Sequence, residues 1–175
     1  MRSIFFFVLL GLLAAVSSFG ATVGEVEIGQ TLREANMQGL NGPPRRLSSF
    51  RGKPLIINVW ASWCGPCRQE MGSLERLAWR EEGRHFQLIG ISTDDYPDRA
   101  KAFLRQTNAT FNHYIDKALE LENMLGANRL PLTILVDAQG KVLSKHYGAK
   151  EWDSPEALAL VRKLFRIPAD TTAKF

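Results

Sequence analysis

The sequence predicts an α/β fold: a mixed central sheet covered by helices on both faces. Short apolar runs rich in β-branched residues alternate with segments of helical periodicity, and the chain closes on a hairpin and a last helix. Only two cysteines occur in 175 residues, both within WASWCGPCRQEM, between a strand-like run and a helix-like one.

Taken in order, Thr31 to Gly52 is polar and turn-rich. TLREANMQG and PRRLSSF flank Leu40-Asn41-Gly42-Pro43, which predicts an N-terminal hairpin. LIINVW, Leu55 to Trp60, is a short buried strand. A helix follows, because Met71, Leu74, Leu77 and Ala78 recur at helical spacing with Arg68, Glu75 and Arg76 opposite. FQLIGIS, Phe86 to Ser92, is a second buried strand, and Asp94-Asp95 after it is expected to cap a helix through Pro97, Ala100, Phe103 and Leu104. Phe111 to Ile115 is a short strand, and Leu119 to Leu125 a short helix closed by Gly126. LTILVD after Pro131 is the strongest strand and turns through Asp137-Ala138-Gln139-Gly140 into KVLSKHYG. Ser154-Pro155 starts a final helix with Leu158, Val161, Leu164 and Phe165 inward. Pro168 to Phe175 reads as a frayed tail.

The N-terminus carries Arg2, an apolar block from Ile4 to Val16, and small residues at Ser18 and Gly20. That pattern predicts a signal peptide over residues 1–20, cleaved before Ala21, with an uncleaved membrane anchor as the competing reading. The expected domain runs over 21–167, and the tail over 168–175. In either case the domain is expected in a compartment where disulfides persist. A formal net charge of +4, with basic and acidic residues interspersed, gives no nucleic-acid footprint.

Cys64 and Cys67 are too close in sequence for their bridge to constrain the fold much, so the pair is expected to serve chemistry. A cysteine at a helix N-terminus faces unpartnered backbone N–H groups and the positive end of the helix dipole, which favour thiolate. Cys64 is therefore expected to be the exposed nucleophile and Cys67, one turn deeper, the resolving thiol. Gly65 allows close backbone approach, and Pro66 fits the first helical turn. Trp63 shapes a contact surface or merely packs. A zinc site would need more ligands than one cysteine pair supplies, and His85, His113 and His146 are scattered and expected at surface or half-buried positions.

IINVWASWCGPCRQEM, IGISTDD, the inserted segment FNHYIDKALELENMLGAN and RLPLTILVDAQGKVL together resemble the TlpA/ResA/DsbE-like thioredoxins, from about Arg46 to Phe165. The resemblance implies a thioredoxin-like fold with a central strand-helix insertion and an exported thiol:disulfide oxidoreductase. It also implies periplasmic location, cysteine-containing protein substrates and a membrane electron donor of DsbD or CcdA type. No cofactor or metal is implied beyond the redox-active Cys64–Cys67 disulfide. Gly-Pro between the cysteines, and relatives acting in cytochrome c maturation or metal-site assembly, favour a reductant over an oxidase or isomerase. Two other readings are a thiol peroxidase, whose motif Pro-x-x-x-Thr-x-x-Cys is absent, and a non-catalytic thioredoxin-like binding module, which is hard to reconcile with so complete an active-site segment.

Two further roles come from the resemblance. Leu130-Pro131 is expected to be a cis peptide facing the dithiol, with the Leu130 backbone pairing an incoming extended peptide, although Pro131-Leu132-Thr133 departs from the family's Pro-Thr-Thr. Thioredoxins carry a buried aspartate where this chain has Asn58, and Glu70 is the implied replacement. Glu70 also falls at the edge of the apolar helix stripe, an odd place for a carboxylate. A solvated Glu70 is the alternative.

Overall fold

The computed structural model describes residues 24–81 and 84–168. The expected signal segment and nearly all of the expected tail lie outside these residues. Among the described residues seven strands form one sheet in the order β2-β1-β5-β4-β3-β6-β7. They are β1 (Asn36–Gly39), β2 (Arg45–Arg46), β3 (Leu55–Trp60), β4 (Gln87–Ser92), β5 (Asn112–Ile115), β6 (Leu132–Val136) and β7 (Val142–Tyr147). The helices are α1 (Gly65–Glu81), α2 (Pro97–Thr107), α3 (Glu120–Leu125) and α4 (Pro155–Phe165).

β3, β4 and β5 run parallel, and β1 and β6 flank them antiparallel. The parallel strands need crossovers, which α1 and α2 supply. The residues of β3 split by alternation. Ile56 and Trp60 join Met71, Leu74 and Leu77 of α1, Phe103 of α2 and Val161 of α4 in one core. Leu55, Ile57 and Val59 join Phe50 and Leu121, Met124 and Leu125 of α3 in the other. The sheet is thus buried on both faces, which is why its central strands read as unbroken apolar runs.

The expected hairpin forms, but its second arm is only two residues, because Leu47–Phe50 coils into a 3-10 turn that buries Leu47 and Phe50. Ahead of it, the chain from Glu25 to Leu32 straps across the second face. Val26 N–H donates to Met124 O (2.8 Å), and Leu32 N–H to Gly140 O (2.8 Å). A buried ion pair joins Glu25 to Lys145 of β7 (2.5 Å).

One capping expectation needs correction. Tyr96 is the N-cap of α2, without a side-chain cap, and Pro97 opens the helix. Asp94 is instead buried below the preceding turn. Its Oδ2 accepts from Ser62 N–H (2.9 Å) and Ser92 Oγ (2.7 Å), and its Oδ1 from Ser62 Oγ (2.6 Å). The carboxylate finds three donors there, more than a helix end offers to one side chain, and it fixes the turn that leads to Trp63 and Cys64.

Candidate active site

β3 ends at Trp60 and α1 begins at Gly65, so the four residues between them turn the chain at the C-terminal edge of the parallel strands. Trp60 is wholly buried and stacks on Phe103 (centroids 4.7 Å apart), which fixes the end of the strand. Cys64 N–H donates to Ala61 O (3.1 Å), closing the turn, and Cys64 O accepts the first α1 bond from Arg68 N–H (3.3 Å). Gly65 and Pro66 are the first two residues of the helix, where proline loses no needed donor.

Cys64 and Cys67 form a disulfide. Cys67 N–H points at Cys64 Sγ (3.1 Å), so a free donor of the helix N-terminus is aimed at that sulfur. Cys67 is fully buried, as expected. Cys64 differs from expectation: in the disulfide it is only 5% exposed, and the exposed neighbour is Trp63, at 71%. What reaches Cys64 is an open groove of about 520 Å³ whose walls include Trp63, Pro66, Thr93, Glu122, Arg129 and Leu130. The Leu130–Pro131 peptide is cis, as the resemblance implied.

Beneath α1 a polar row crosses the sheet. His146 of β7 is opposite Thr133 of β6, Thr133 opposite Asn58 of β3, Asn58 opposite Gly90 of β4, and Gly90 opposite His113 of β5. Asn58 Nδ2 donates to Thr133 Oγ1 (3.0 Å) and upward to Glu70 Oε1 (2.7 Å). Glu70, only 1% exposed, is also held from the β7–α4 loop: its Oε2 accepts from Trp152 Nε1–H (3.1 Å) and Lys150 N–H (3.2 Å). Ser73, one turn on, ties the same loop to α1, accepting from Trp152 N–H (3.0 Å) and donating to Glu70 O (2.7 Å).

The solvated reading of Glu70 is therefore excluded, because the side chain is buried and three donors hold its carboxylate. Burial pushes its pKa up to about 7, while the hydrogen bonds from Asn58, Trp152 and Lys150 pull the other way. His113 corrects the expectation of a surface or half-buried imidazole: it is buried between Phe111 and Trp60, and burial lowers its pKa to about 3. His85 and His146 are half-buried, as expected. Among the described residues no cluster of three His, Cys, Asp or Glu side chains could hold a metal ion.

Sequence reasoning missed Trp152, Lys150 and Ser73 around Glu70, and Thr93, Glu122 and Arg129 in the groove. The first two lie in a loop about eighty positions from Glu70, beyond any local pattern.

Comparison with known proteins agrees with this geometry. The Redoxin family model matches residues 27–161. The chain belongs to the Redoxin family. This Redoxin domain is similar to the thiol-disulfide oxidoreductase ResA of Bacillus thuringiensis subsp. konkukian (strain 97-27). The two are 30% identical over 124 residues, covering 71% of this chain and 72% of ResA. It is similar also to ResA of Geobacillus thermodenitrificans (strain NG80-2), at 29% over 140 residues, with 77% and 80% covered. A crystal structure from Chlorobium tepidum, described as a thiol:disulfide interchange protein DsbE, superposes with a TM-score of 0.73 at 26% identity. It covers 81% of this chain and 99% of that one. The TlpA/ResA/DsbE-like resemblance and the thioredoxin-like fold both hold. The Redoxin domain is a thiol-disulfide oxidoreductase with a CxxC disulfide.

Proposed function

We propose that the protein is an exported reductant that returns disulfides in cysteine-containing proteins to dithiols, with Cys64–Cys67 as its own redox group. One observation carries the reading: Cys67 N–H aims at Cys64 Sγ at the wall of an open groove that is also lined by Leu130, whose peptide bond to Pro131 is cis. That donor stabilises negative charge on Cys64 sulfur as it arises.

The reaction then runs in two displacements. Cys64 thiolate attacks one sulfur of the substrate disulfide, held beside the Leu130 backbone, and expels the other as a thiolate. Cys67 next gives its proton to Glu70, three positions on along α1, and the resulting thiolate attacks Cys64 Sγ. The second substrate sulfur leaves and takes up a proton. Two electrons pass from Cys64–Cys67 to the substrate, and a membrane electron donor of DsbD or CcdA type resupplies them.

Residues 1–20 direct export to the periplasm, by cleavage or as an anchor. Among the described residues no helix is long and apolar enough to cross a membrane. Substrates of the cytochrome c maturation or metal-site assembly type suit this chemistry.

The test is a Cys67→Ser protein expressed with its own leader. It should trap substrates as mixed disulfides on Cys64, and Cys64→Ser should trap none. In cells the wild-type pair should be reduced and should become oxidised when the membrane donor is removed. A pair found oxidised with the donor intact would make the protein an oxidase.

A further inference from the structure

Among the described residues that wall the groove beside Cys64, only two are charged. Glu122 projects from α3 on the side of Thr93, and Arg129 stands in the segment just before Leu130. Arg129 is not a loose surface chain, because its guanidinium stacks over the Tyr147 ring of β7 (4.9 Å), whose hydroxyl donates to Gly126 O (2.9 Å). Glu122 is equally placed: its backbone N–H donates to Asp116 Oδ2 (2.8 Å), and it is half-buried. Burial first, and the charge of Asp116 second, raise its pKa, while a hydrogen bond from Thr93 lowers it. Both residues line the groove, and among the described residues no ion pair joins them, so the two charges do not cancel at contact distance.

Fixed charges in a groove walled by Trp63, Pro66, Ala127 and Leu130 act across less water than charges on an open surface. They select partners by sign more than they add affinity. We infer that Glu122 and Arg129 set substrate choice. The preferred target cysteine lies in a segment with a basic group toward α3 and an acidic group toward the Arg129–Tyr147 side. This rests on Cys64 as the attacking thiol and on the Leu130 segment as the edge along which the substrate lies. Neither charged residue takes part in the proton or electron transfers.

The experiment is stopped-flow oxidation of the reduced protein at pH 8 and low salt by two small disulfides of opposite charge, cationic cystamine and anionic oxidised glutathione. The quantity read is the ratio of their second-order rate constants, since intrinsic differences between the reagents cancel when variants are compared. Glu122→Gln should lower the cystamine-to-glutathione ratio about threefold to tenfold, and Arg129→Gln should raise it by a similar factor. Both changes should shrink in 1 M salt, where the screening length is ~3 Å. A purely structural role would slow both reagents alike. Ratios within twofold of wild type in both variants, or shifts of the same sign, would overturn the selection. Wild-type protein that reacts with neither reagent would overturn the attacking role of Cys64, and the selection with it.

Discussion

Asn58 Nδ2 lies 2.7 Å from Glu70 Oε1, so the carboxylate of α1 is fastened to the centre of the sheet rather than to solvent. Thr133 accepts the second proton of the same amide, at 3.0 Å, which fixes the amide orientation and presents a donor to Glu70. Asn58 cannot exchange a proton at neutral pH, so of this hydrogen-bonded pair only Glu70 titrates, with its pKa pushed up to about 7.

Glu70→Gln should therefore separate shape from titration. The amide keeps the hydrogen bond to Asn58 after a flip but cannot accept the Cys67 proton. Resolution of a mixed disulfide should slow by about a hundredfold near pH 7, the low end of general-base contributions. The inflection near 7 in the pH profile should vanish. Stopped-flow resolution of a glutathione mixed disulfide on Cys64, from pH 5 to 9, reads both. Superimposable profiles would remove Glu70 from the mechanism.

Glu70 and His113 also make opposite demands on folding. Glu70 binds its proton more tightly in the fold, about 7 against 4.5, so its contribution is full below pH 4.5 and lost as pH rises through 7. His113 binds its proton less tightly in the fold, about 3 against 6.5, so its contribution is full above 6.5 and lost as pH falls toward 3. Between 4.5 and 6.5 the two slopes cancel, each being about 1.4 kcal/mol per pH unit. Urea unfolding of the oxidised protein should show Glu70→Gln gaining stability relative to wild type as pH rises from 4.5 to 7, by about 3 kcal/mol at most. His113→Leu should do the reverse, gaining relative to wild type as pH falls from 6.5. Parallel curves for all three proteins would contradict both burials.

The strands, α1 and the dithiol turn were legible because each is written in contiguous residues. LIINVW and LTILVD are unbroken apolar runs, and Cys64 to Cys67 sit between a strand and a helix. Glu70 was half legible: its place at the edge of the apolar stripe was visible, but its enclosure by Lys150 and Trp152 depends on how the β7–α4 loop folds back. His113 left a signal that went unread. Phe111, His113 and Ile115 alternate, and that period of two puts the imidazole on the inward face with its neighbours. Asp94 misled because Asp-Asp before Pro97 has the composition of a helix cap, whereas Ser62 and Ser92 offered a buried carboxylate more donors.

Asp94→Ala removes the acceptor for three hydrogen bonds and leaves the Ser62 N–H and two hydroxyls without it. Loss of about 2–4 kcal/mol is expected, since hydrogen bonds to a charged group contribute roughly 1.5–3 kcal/mol each and the released hydroxyls recover part of that in water. The Ser62–Trp63 turn should loosen before the rest of the domain, which hydrogen exchange at Ser62, Trp63 and Cys64 would detect. A stability change under 0.5 kcal/mol would mean that the turn holds without its carboxylate.

Gly90 completes the polar row by having no side chain. A Cβ built there would fall onto His113 Nδ1 and Cε1 and within 2.9 Å of Trp60 Nε1. Neither ring can retreat, because both are fully buried and Trp60 is stacked on Phe103. The imidazole thus occupies the space that any other residue at position 90 would claim, and the two positions face each other directly across β4 and β5. Gly90→Ala should cost about 3 kcal/mol, the upper end for overpacking a core. His113→Ala should cost a similar amount by leaving a cavity. The double variant should be more stable than the sum of the two predicts, by at least 1 kcal/mol, because the new methyl enters the space that the imidazole leaves. Urea denaturation of the four proteins at pH 7 gives the coupling directly. Simple additivity would show that His113 does not hold the place beside Gly90, and the Gly90→Ala cost would then belong to Trp60 alone.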